Sequence, residues 1–252
     1  MGPSCPYTRP SPSNRSSGAR SHSSPPEYET IAAAAQRDRW ATLIRASGLT
    51  AEQADTAIES EAFGALTAEL RRAEANHHNL DTLLPRLVAA RGFADADDIA
   101  SVLHYRVARA TARPAGSGRP RKAPRLIAGL VPEARGQVSA DMRQALDQRR
   151  DLIEQRADAV LDTGLDEGAT WTKPLGTPPG DPWRRYARTV AVYRDRYGIT
   201  DDTPLGTAAV TTAQKIDAAR ARSALERAGN IARGSSARAE RKVVRREQGR
   251  TL

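Results

Sequence analysis

Between Asp181 and Gly198 the chain reads DPWRRYARTVAVYRDRYG, and this stretch limits the available folds more than any other. It holds four of the eleven aromatic residues: Trp183, Tyr186, Tyr193 and Tyr197. On a helix, Trp183, Tyr186, Val190, Tyr193 and Tyr197 fall at i, i+3, i+7, i+10 and i+14, one continuous apolar seam. Arg184, Arg185, Arg188, Arg194 and Arg196 stand around it. Aromatics make up only 4 % of the chain, so a seam this rich is what the other helices have to pack on. Rings interleaved with guanidinium groups also describe a single-stranded nucleic-acid groove, in which bases stack and arginine neutralises phosphate.

The rest of the chain offers little material for a sheet. Alanine and arginine dominate, both strong helix formers, while β-branched and aromatic strand formers are scarce. The expected class is all-α: helical bundles between a disordered Ser/Pro-rich N-terminus and a basic C-terminal tail.

The net charge of +9 is concentrated at the ends. Residues 1–26 carry Arg9, Arg15 and Arg20 and no acid. Residues 231–252 carry seven bases against Glu240 and Glu247, leaving 29 bases and 28 acids for 27–230. A basic end binds nucleic acid through counterion release without a folded site, and it also serves simply as a solvated end. The single cysteine, Cys5, excludes an internal disulfide framework and a multi-cysteine metal site, and fits a reducing cytoplasm. No apolar run is long enough to span a bilayer, so membrane insertion is not expected.

Five regions follow in order. Residues 1–26 are low-complexity and expected to be disordered. Residues 27–112 read as a bundle of about five helices, one opening on a Thr50/Gln53 capping box and one preceded by Asp95, Asp97 and Asp98. Residues 113–138 form a basic Pro/Gly linker, whose apolar piece Leu126, Ile127, Leu130 and Val131 docks on a neighbouring helix. Residues 139–233 form a second helical region. It begins with a long helix capped by Ser139, continues with the 181–198 helix opened by Asp181 as N-cap and Pro182, and ends in a helix from Thr211 or Thr212 to about Arg233. Residues 234–252 form a basic, weakly helical tail.

Reactive constellations are missing. There is no phosphate-binding G-x-x-x-x-G-K-[ST] loop: GSGRPRK at 116–122 has the wrong spacing and a proline where a helix should begin. H-E-x-x-H, C-x-x-C and G-x-S-x-G are absent as well. His77 and His78 are adjacent, so on a helix they diverge by about 100° and rarely serve one ion. Asp95, Asp97 and Asp98 lack the glycine and terminal glutamate of a calcium loop and suit a helix start. No cofactor, metal or catalytic residue is expected, and the chain does not read as an enzyme.

Two blocks of wording carry a resemblance. AFGALTAELRRAEANHHNLDTLLPRLVAARGFADADDIASVLHYRVARAT (62–111) resembles a segment near the C-terminal end of actinobacterial conjugative relaxases of the MobF class. ARTVAVYRDRYGITDDTPLG (187–206) with QKIDAARARSALERA (214–228) resembles their closing region. Those proteins open with a metal-dependent relaxase domain that nicks plasmid DNA with a tyrosine, and continue into an ATP-dependent helicase domain. Neither the relaxase histidine cluster nor the helicase ATP loop has a counterpart here, so no catalytic residue carries over.

The resemblance implies a non-catalytic C-terminal module of a plasmid-transfer relaxase, cytoplasmic, contacting DNA, the relaxase–helicase or the conjugative coupling machinery. The alternative is an autonomous binder of single-stranded nucleic acid that uses helix 181–198 and the basic tail. In either case the candidate contacts are Arg184, Arg185, Arg188, Arg194, Arg241, Lys242, Arg245 and Arg246.

Overall fold

The computed structural model describes residues 25–111, 123–176 and 180–248. The expected disorder of 1–26 therefore lies almost wholly outside the described residues. The fold is all-α, as the composition implies: helices α1 (Pro25–Arg45), α2 (Ala51–Glu59), α3 (Phe63–Ala75), α4 (Leu80–Ala89) and α5 (Ile99–Thr111) precede α6 (Ala140–Asp166), α7 (Asp181–Arg196) and α8 (Thr212–Gln248). A two-stranded antiparallel hairpin, β1 (Leu126–Ile127) with β2 (Val131–Pro132), separates the two sets, and a 3-10 helix (Thr170–Leu175) joins α6 to α7. Among the described residues no helix is long and apolar enough to cross a membrane.

Local signals set most helix ends. Thr50 and Gln53 exchange the two hydrogen bonds of a capping box at α2. The Ser139 hydroxyl accepts from Met142 N–H at 3.3 Å at the start of α6. Of the three aspartates before α5, Asp98 does the capping: its carboxylate accepts from Ser101 N–H at 3.1 Å and from the Ser60 hydroxyl at 2.7 Å. The Ser60 hydrogen bond holds that carboxyl below its usual range, with the backbone donors adding to the effect. His77 closes α3 from the left-handed region (φ 64°), with His78 N–H reaching back to Ala73 O and His77 N–H to Glu74 O. This is a Schellman stop built on histidine where glycine is usual, and it assigns His77 to capping.

Three apolar clusters make up the interior. The first joins Trp40 and Ile44 of α1 to Leu66 and Leu70 of α3, Leu84 of α4 and Leu103 of α5. The second joins Tyr28 and Ala32 of α1 to the hairpin, Ile153 of α6, Val192 and Tyr193 of α7 and Ala221 of α8. The third gathers Leu161, Trp171, Leu175, Trp183, Val190 and a row of small residues on α8, namely Ala224, Ala228 and Ala232.

Two departures from the sequence expectation follow. Helix α1 does not belong to the first bundle alone. Its C-terminal half lies in the first cluster and its N-terminal half in the second, because both faces carry apolar residues. Residues 123–138 are also more than a linker. Ile127, Leu130 and Val131 are fully buried, and Arg125 N–H bonds Ala75 O at 2.9 Å. The part of the expected linker from 113 to 122 lies outside the described residues.

The hairpin is seated by a close backbone approach. Ala128 and Gly129 both take positive φ, 47° and 75°, and the Thr189 hydroxyl of α7 donates to Ala128 O at 3.1 Å. A Cβ on Gly129 would run into that hydroxyl while holding a backbone conformation that L-residues avoid. Gly129→Ala is therefore expected to lower unfolding free energy by roughly 2–4 kcal/mol in urea denaturation, with a much smaller effect from Gly64→Ala, where nothing stands within 4 Å.

Candidate nucleic-acid interface

Helix α7 begins at Asp181, with Gly180 in the cap position, so Asp181 is the first helical residue and not the N-cap. Its seam is buried as the aromatic spacing requires. Trp183, Val190 and Tyr193 are inaccessible, Tyr186 and Tyr197 half-buried, and Trp183 Nε1 donates to Leu175 O at 2.7 Å. Burial of this seam determines what happens to the arginines beside it.

The amphipathic pattern leaves those arginines on an outer face, available to phosphate. The structure differs for three of the four candidates on α7, because α6 lies alongside and presents carboxylates at i, i+4 and i+8. Arg184 reaches Asp158 at 2.9 Å and Asp162 at 2.8 Å. Its hydrogen bond to Asp162 pulls that carboxyl below its usual range. Arg188 pairs with Glu154 and lies 3.2 Å from Asp158. Glu154 in turn accepts from Ala128 N–H at 2.6 Å, so a single carboxylate joins α7 to the hairpin.

Arg194 is buried and bonds the carbonyls of Ile199, Asp201 and Thr203, with its guanidinium 4.8 Å from the Trp171 ring centre. It closes the loop after α7. Burial lowers its pKa, and Asp201 and Asp202 partly compensate. Arg196, the fifth arginine of the stretch, bonds Glu29 of α1 through both nitrogens at 3.0 Å and approaches Asp217 of α8 at 3.6 Å. Burial works against its charge, yet the two carboxylates outweigh that and raise its pKa. Tyr197 completes the group by donating to Asp217 at 2.8 Å.

Arg185 stands apart. It is exposed, has no carboxylate partner among the described residues, and rests 5.2 Å from the Tyr186 ring centre. Arg227 of α8 lies 5.5 Å from the same ring. Periodicity within either helix does not reveal this meeting, which depends on α7 and α8 packing side by side.

The remaining candidates lie on α8, which continues as a helix to Gln248 and does not end near Arg233. The alanine row that holds it to the body stops at Ala232. Arg233, Arg238 and Arg241 beyond that point are exposed. Arg241 bonds only Ala237 O, at 3.2 Å, a carbonyl one turn back in the same helix. Lys242, Arg245 and Arg246 have helical backbone, and their side chains lie outside the described residues.

Other concave features are open to solvent. One of them, about 640 Å³, lies between α1 and the α3–α4 turn and is lined by the paired Arg39 and Glu74 with Asp38, His78, Asp81, Leu43 and Leu80. Among the described residues no three His, Cys, Asp or Glu side chains converge as metal ligands. Comparisons with family models, with curated proteins and with solved structures find no match for this chain.

Because Arg194 serves the loop, Arg194→Met is expected to cost roughly 2–4 kcal/mol, leaving three carbonyls without their donor. Thermal unfolding should shift down by several degrees. Nucleic-acid affinity at a temperature where the variant is folded should equal that of the wild type.

Proposed function

We propose that this chain is a non-catalytic helical module that binds nucleic acid through the exposed basic end of α8, in the manner expected of a closing module of a conjugative-transfer relaxase. The observation that carries the reading is the contrast between two sets of arginines. Arg184, Arg188 and Arg194 have protein partners, whereas Arg185, Arg227, Arg238 and Arg241 have no carboxylate within ion-pair distance among the described residues.

Cations left without counter-charges on a helix are suited to phosphate, because binding releases condensed counterions. The wording of 62–111 and 187–228 supports the plasmid-transfer context, with single-stranded DNA as the partner and the cytoplasm as the compartment. Contacts with the relaxase–helicase or coupling machinery belong to the same reading, with α8 as the shared surface.

The test is fluorescence anisotropy with a labelled single-stranded oligonucleotide and the full chain. Affinity is expected to be measurable at low salt, to fall steeply as salt rises, and to drop about ten-fold in Arg238→Gln with Arg241→Gln. Absence of binding at low salt, or affinity unchanged in that double variant, contradicts the reading.

A further inference from the structure

We infer that Arg185, Tyr186 and Arg227 form a phosphate clamp at the α7–α8 seam, from which a basic row continues along α8 as a track for the backbone of a single-stranded nucleic acid. The inference rests on the proposed nucleic-acid reading and locates where on the molecule the strand is gripped.

Two guanidinium groups from different helices share one half-buried tyrosine ring, at 5.2 and 5.5 Å from its centre. Both lie within cation–π range, so the ring fixes the position of each cation. Elsewhere on α7 the fold answers guanidinium groups with a carboxylate or a set of carbonyls. Here it supplies neither among the described residues. A phosphodiester strand, whose oxygens accept guanidinium donors, would supply the missing acceptors.

The clamp is also the first member of a longer row. On a 3.6-residue period Arg227, Arg238 and Arg241 fall at i, i+11 and i+14 on one face of α8. From Arg227 to Arg241 the row runs roughly 21 Å, with Arg238 and Arg241 about one turn apart. Between Arg227 and Arg238 about 16 Å of helix carries Asn230 and Gly234 on the same face, one polar and one small.

The residues around the row also select the partner. A membrane-binding helix needs bulky apolar side chains opposite its bases, and the exposed residues there, Arg233 and Ser236, are polar. A flexible single strand can bend from the α7–α8 seam onto the helix, whereas a duplex is held straight by its stiffness.

The experiment titrates a labelled oligothymidylate with the full chain, comparing wild type, Arg185→Gln with Arg227→Gln, Tyr186→Leu and the ion-paired control Arg184→Gln over a salt series. The clamp double variant is expected to bind about ten-fold more weakly, and its slope of log K against log salt to be shallower by about 1.4, the loss of two phosphate contacts. Tyr186→Leu keeps both charges without the ring that holds them and is expected to show a smaller loss. Arg184→Gln is expected to bind like the wild type. Unlabelled oligothymidylate should compete better than duplex DNA or phosphatidylserine vesicles at equal phosphate.

A wild type that binds equally to the clamp double variant overturns the clamp and leaves the α8 reading standing. A wild type that does not bind at low salt overturns both. Duplex or vesicles competing better than the single strand overturn the occupant. Both clamp arginines are exposed, so the double variant should melt close to the wild type.

Discussion

The second half of this molecule is built around the problem of burying a helix that carries five arginines in sixteen residues. A guanidinium group removed from water without a partner costs several kcal/mol, and the hydrophobic gain from one aromatic side chain does not cover several such losses. The fold meets this by surrounding α7 with acceptors. Glu154, Asp158 and Asp162 come from α6, Glu29 from α1, Asp217 from α8, and three carbonyls from the loop that follows. Each acceptor fixes the place of the element that supplies it. The α6–α7 ladder sets the relative slide of those helices, Arg194 folds the chain back after α7, and Arg196 draws α1 across both halves. Partly exposed pairs of this kind contribute modestly one by one. Their weight here is in register, since shifting α7 by one residue would leave all of these cations unpaired.

Much of this architecture is legible in the sequence, for reasons that differ from element to element. The aromatic seam at Trp183, Val190 and Tyr193 is a periodic signal, and periodic signals survive into the structure because burial enforces them. The Thr50/Gln53 box and the Ser139 cap are local signals, read from residues within one turn. Less legible is anything that depends on which helix lies beside which. The arginines of α7 have the composition of a nucleic-acid groove, and only the acidic row of α6 at matching spacing shows that their charge is already used. Helix α1 is continuous in pattern from Pro25 to Arg45, and nothing local marks the point where it passes from one cluster to the next. The length of α8 was hidden by composition, because Gly234, Ser235 and Ser236 look like an ending while the helix continues through them.

The same comparison moves the candidate interface. Arginines that answer carboxylates hold helices together, whereas Arg185, Arg227, Arg238 and Arg241 are exposed with no carboxylate partner among the described residues. Arg185 belongs to both descriptions: it stands on the helix that composition singles out, yet it alone among the four α7 candidates lacks an acceptor among the described residues. Its pairing with Tyr186 and Arg227 is a tertiary feature. It places the expected contact Arg241 on the same helix face as a residue, Arg227, that has no distinguishing mark in the sequence. The functional reading therefore rests on which charges the fold leaves unspent, and the net charge of the chain is a poor guide to that.

The division between spent and unspent arginines is tested most directly by arginine-selective modification with phenylglyoxal, read by peptide mass spectrometry on the full chain with and without a single-stranded oligonucleotide. The account predicts that Arg194 is unreactive in both conditions and that Arg184 and Arg188 react slowly and without change. Arg185, Arg227, Arg238 and Arg241 are predicted to react readily alone and to be protected by the oligonucleotide. Protection of Arg184, Arg188 or Arg194 with the α8 arginines unaffected would contradict it.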